Sequence, residues 1–273
     1  MGTFIENPVL QKEMSSQLRA RRQTKGVRVA SMICVGAIVL LLYYFGARAI
    51  LHTSNDARDC FMAMVVLQMV LILFLAPSLT AGAITQEREQ QTWNSLLLSR
   101  LSADEIVIGK LVARLVPAVA ILLLFAPLGI LAAFFGEIRA GTFVLSYLLL
   151  ALSTVFFATI GLFCSWAYRR TVGATSATFG AIAFLTVGTA LLYSLWAMAR
   201  LGQNSDMENF PLMWLNPFVA LSVVLSQVSG NGFNNDRNFA PLVGFLLACI
   251  VGTLGLLFVT IRRLSRGPKE LEQ

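Results

Sequence analysis

The chain has 273 residues, 57% of them hydrophobic and only 13% charged, with a formal net charge of +7. A water-soluble domain carries about 25% charged residues, and here the apolar residues gather into runs of about 20, the length that crosses a hydrocarbon core roughly 30 Å thick. An ordinary soluble enzyme is thereby excluded, and the cations cluster between the apolar runs, which argues against nucleic acid as the partner.

Spanning segments must satisfy their backbone internally, so they are helices or closed barrels. Barrel strands alternate apolar and polar residues over about ten positions. The runs here are longer and apolar on all sides, so the expected fold is an all-α membrane protein of six transmembrane helices forming one domain over residues 1–273. Residues 7–25 repeat Leu10, Met14 and Leu18 every four positions among charged residues, which predicts an amphipathic helix in the membrane interface. The first span is placed at 29–50 and, being too long for a signal-peptide core, reads as a retained helix. The second is placed at 60–82, after a polar loop at 51–59. A charged stretch at 83–113 leads to the third span at 114–135, which contains Pro117 and Pro127, and a kink is expected there. The fourth and fifth spans are placed at 142–166 and 172–198, and the sixth at 240–261. Between the last two, the apolar segment 211–230 is too short after Pro217 to span, which fits a re-entrant or interfacial helix. Trp214, Asn216, Pro217 and Phe218 within it form either an outer gate or structural packing.

Six spans put both termini on one side, and 16 of the 21 Lys and Arg residues fall on that side. The positive-inside rule then makes the termini and the 83–113 stretch cytoplasmic, in the cell (inner) membrane. The four cysteines form no CxxC pair and read as small buried apolar residues. The cores of the spans hold no Asp, Glu, Lys, Arg or His, and Gln68 is the main strongly polar residue deep in a span. Ion-coupled transporters use intramembrane ionisable groups, and ATPases carry a GxxxxGK[ST] loop; neither pattern is present. The chain is therefore expected to have no catalytic residues, metal ligands or cofactor of its own, and to draw energy from a partner.

Residues 76–111 resemble the permease subunits of the ABC-2 transporter family. The resemblance rests on Gly82, Ile84, the Glu87-x-Glu89 pair, Thr92, Leu96–Leu98 and Gly109-Lys110-Leu111, supported by the opening NPVLQKEM at 7–14 and by Asn216-Pro217-Phe218. It implies that 7–25 is an elbow helix and that 84–98 is a coupling helix docking on a separate cytoplasmic ATP-binding subunit. That partner would hold ATP and Mg. A second permease subunit, identical or different, and membrane lipids complete the implied partners, and export is favoured over import.

On this reading Glu87, Arg88, Glu89, Thr92, Trp93, Leu96 and Leu97 form the docking surface, with the charges facing solvent or the partner and the apolar residues supplying contact area. Gly109, Lys110 and Arg114 mark the start of helix three; the two cations either pair with Glu87 or Glu89 or, the simpler account, snorkel to lipid headgroups. Gln91 departs from the family pattern, which often has Gly there; glutamine is expected to extend the helix where glycine would loosen it. Two rivals are a membrane scaffold that recruits a different partner and a secondary transporter built on inverted repeats.

Overall fold

The computed structural model describes residues 53–91, 103–199, 211–228 and 240–265, with Tyr44, Gly46, Ala47, Arg48 and Ile50 before them. The interfacial helix at 7–25, most of the first span, Thr92, Trp93, Leu96 and Leu97 lie outside the described residues. Within them the chain is helical: α1 Ser54–Thr80, α2 Thr85–Glu89, α3 Ala103–Phe135, α4 Ala140–Ala167, α5 Thr171–Ala199, α6 Pro217–Leu225 and α7 Ala240–Ser265. Among the described residues, five helices are long and apolar enough to cross a membrane.

Two helices start earlier than the hydropathy predicts. Residues 54–59 are helix and not loop, because Thr53 caps α1 by accepting from the Asp56 amide at 3.2 Å. Helix α3 begins at Ala103, with Asp104 and Glu105 in its first turn, where acidic side chains favour a helix N-terminus. It continues through Pro117 and Pro127.

Helices α1 and α4 run in the same direction and pack along their whole length. Phe61 meets Phe143 at one end, with ring centroids 6.1 Å apart. At the other, Gly161 lets the backbones close: a Cβ there would collide with Thr80 Oγ1 and come within 3.2 Å of Ala81 N and Pro77 O. Helix α3 crosses the same pair, with Gly129 against Met64 and Tyr147. The core is therefore built on α1, α3 and α4, including Phe61, Met69, Ile72, Leu149, Leu150 and Phe157.

Small residues recur at four-residue spacing on α5 and α7. On α7, Gly244 faces Trp214 and Gly252 faces Phe156. On α5 the buried face is instead Ala174, Thr178, Ile182, Thr186 and Thr189, while Ala181 is exposed. Large apolar side chains such as Leu123, Phe134, Met198 and Val251 are more than half exposed, which suits a chain whose outer solvent is lipid.

Candidate functional site

Two polar clusters stand apart in the bundle. The first surrounds the junction of α1 and α2. A helix leaves its last carbonyls without intrahelical donors, and cations near that end also interact favourably with the helix dipole. Here α3 supplies both cations: Arg114 donates to Leu79 O at 3.2 Å, and Lys110 Nζ donates to Ala83 O at 3.1 Å. Lys110 Nζ also lies 2.7 Å from Glu87 Oε1, with the lysine side chain fully buried and the glutamate 22% exposed. The pairing account of Lys110 thus holds over the snorkelling one. Gly109 sits one residue before it, at the point where α3 passes the junction.

The remaining termini are satisfied by α4 and α5. Helix α2 has no N-cap side chain of its own, and Ser165 Oγ of α4 fills that role, accepting from Ile84 N at 2.8 Å and Thr85 N at 3.1 Å. Arg88 donates to Trp166 O at 3.0 Å and Tyr168 O at 3.3 Å, closing the C-terminal end of α4. Glu89 caps α5, accepting from Thr171 N at 2.8 Å and Thr171 Oγ1 at 3.0 Å. The Arg263 guanidinium of α7 stands over the Trp166 ring at 5.7 Å.

The charges expected to face outward are therefore engaged within the chain. Glu87 turns to Lys110, Arg88 to the α4 terminus, and the exposed Glu89 bends back to α5. Nothing local in the sequence points to Ser165 or Thr171, which meet α2 across 80 or more residues. Gln91 also differs from its expected role. The helix stops at Glu89, and Gln91 takes φ 58°, the left-handed conformation that a glycine adopts without strain. The glutamine does not extend α2; it stands where the family's glycine would end it.

The second cluster joins 211–228 to α5 and α7. Asn216 is almost fully buried and caps α6, accepting from Phe218 N at 3.0 Å, with Pro217 in the first turn. Its amide donates to Thr186 O and Thr189 Oγ1, both at 2.9 Å. Residues Phe184–Gly188 form a π-turn in α5, a register in which backbone carbonyls turn out of the ordinary α ladder. Trp214 lies against Gly244, Phe218 packs on the core, and Gln227 pairs with Thr142 at 3.2 Å.

Among the described residues no group of His, Cys, Asp and Glu could hold a metal ion. Comparison with protein-family models matches residues 8–266 to the family described as ABC-2 family transporter protein. Comparison with curated proteins finds no match. The family match spans nearly the whole chain, including both polar clusters. The chain belongs to the ABC-2 family, as a membrane component of a transporter: a non-catalytic transmembrane subunit of the kind that pairs with an ATP-binding cassette subunit.

Proposed function

We propose that this chain is the six-span permease subunit of an ATP-driven exporter in the cell (inner) membrane, a single transmembrane domain with both termini cytoplasmic. The cytoplasmic ATP-binding subunit docks at 84–98, carries ATP and Mg, and two permease subunits frame the path. The segment 211–230 is the re-entrant outer gate, with Trp214, Asn216, Pro217 and Phe218 at its turn.

The observation that carries this reading is the set of ties on α2. A short helix bonded to α3, α4 and the start of α5 passes a push on its surface into three spans at once. Glu87, Arg88 and Lys110 then give the docking surface its shape, while Glu89, Thr92, Trp93, Leu96 and Leu97 meet the partner. Such an anchor residue is typically aromatic.

The protein is purified from its native membrane in mild detergent, and the complex is identified and assayed for ATP hydrolysis. A stoichiometric subunit with a phosphate-loop motif is expected, and its absence from several gentle extractions refutes the coupling role and favours a scaffold. One permease species indicates a homodimer and two a heterodimer. Trp93→Ala should reduce recovery of that subunit while membrane insertion is unchanged, and full recovery and transport overturn the docking surface; Glu89→Lys should do the same but also strips the cap from Thr171. Glu87→Lys is a poorer probe, because it also sets a second cation beside Lys110.

A further inference from the structure

Gln68 is the one strongly polar residue deep in a span that neither cluster uses. It lies near the middle of α1, about 20 Å along the axis from either end, and its side chain is fully buried. No described residue bonds its amide oxygen or its amide nitrogen. Ser153, near the middle of α4, is equally buried, and its hydroxyl is likewise without a partner among the described residues.

Ser153 is an exception to a local rule. Hydroxyls in apolar helices usually bond the carbonyl one turn back. Thr80, Ser146, Thr154, Thr159 and Thr178 all do so here. Ser153 sits among them and does not bond back to Leu149.

The register of α1 on α4 places the two exceptions together. Ile84 meets Ser165, 81 residues on, and Phe61 meets Phe143 with nearly the same offset. Gln68 is therefore level with Leu149 and Leu150, one helical turn from Ser153. One turn is about 5.4 Å, roughly two hydrogen-bond lengths end to end. The two groups make no direct bond, and one intervening water can span such an offset. A buried water makes two to four hydrogen bonds, and the amide and hydroxyl together offer donors and acceptors for them. Left bare in hydrocarbon, the same atoms would each carry an uncompensated desolvation cost.

We propose that α1 and α4 enclose a hydration site at mid-membrane depth, in which water bridges the Gln68 amide and the Ser153 hydroxyl. The site makes the seam between these helices hydrated at the level of Leu149 and Leu150 and dry beyond it, at Phe157.

The test is a double-mutant cycle on the thermal midpoint of the purified full-length protein, using Gln68→Met, Ser153→Ala and both. If water bridges them, each single change strands the other group and lowers Tm by about 4–8 °C, and the double lowers it no further than the worse single. If the groups are bare and independent, each change leaves or raises Tm and the effects add, which overturns the proposal. Radiolytic hydroxyl-radical labelling of the unaltered protein reads the water itself. Leu149 or Leu150 should be oxidised several-fold more than Phe157, which is just as buried. Equal protection of all three overturns the site even where a variant fails to fold.

Discussion

Replacing Lys110 with Met tests whether the junction of α1 and α2 depends on a buried ion pair. The change keeps the aliphatic stem and removes the ammonium, which lies 2.7 Å from Glu87 Oε1 and 3.1 Å from Ala83 O. Breaking a fully buried pair costs about 3–5 kcal/mol, because it strands the partner charge. Glu87 is 22% exposed, so water recovers part of that, and about 2–3 kcal/mol remains. The Ala83 carbonyl loses its donor at a further cost of about 1 kcal/mol. At roughly 2–4 °C per kcal/mol for a chain of this size, Tm should fall by about 6–16 °C. The readout is intrinsic-fluorescence melting of the detergent-solubilised protein. Adding Glu87→Gln removes the stranded charge, so the double variant should regain more than half of the loss. A single-variant shift under about 2 °C, or a double variant that is worse than either single by simple addition, refutes a coupled buried pair.

Four further changes probe the other contacts. Ser165→Ala leaves the Ile84 and Thr85 amides without their acceptor, costs about 1–3 kcal/mol, and should speed amide exchange at those two positions first. Asn216→Asp keeps the cap on Phe218 but cannot donate to Thr186 O, so its melting loss should approach that of Asn216→Ala; a loss near zero would place the weight on the cap alone. Gly161→Val forces α1 away from α4 and should cost 3 kcal/mol or more by the scale of overpacking, about 1–3 kcal/mol, applied to a contact with backbone; unchanged melting would show that the helices do not close there. Gln91→Gly relieves a positive φ that costs an L-residue about 1–2 kcal/mol and should raise Tm by a few degrees, whereas a helix-extending role for the glutamine predicts a fall.

Hydropathy alone was enough for the spans from 60 to 261, because lipid imposes one requirement on every exposed position and twenty apolar residues satisfy it in any order. Helix ends were less legible where polar residues did the work. Thr53 caps α1 by accepting from the Asp56 amide, and Asp104 and Glu105 open α3, in stretches whose composition reads as loop. The 76–111 pattern pointed to the family, but not to what its charged residues touch. Glu87, Arg88 and Glu89 look like a solvated run, since charge in a short interspan segment has water as its default partner. The tertiary structure decided otherwise by bringing Lys110, the α4 terminus and the start of α5 to the same place. Each of these contacts satisfies a helix terminus or a charge that would otherwise stand bare beside an apolar bundle. Such needs are local, but the groups that meet them lie 23 to 82 residues away, and only the packing of parallel and crossing helices selects which ones arrive.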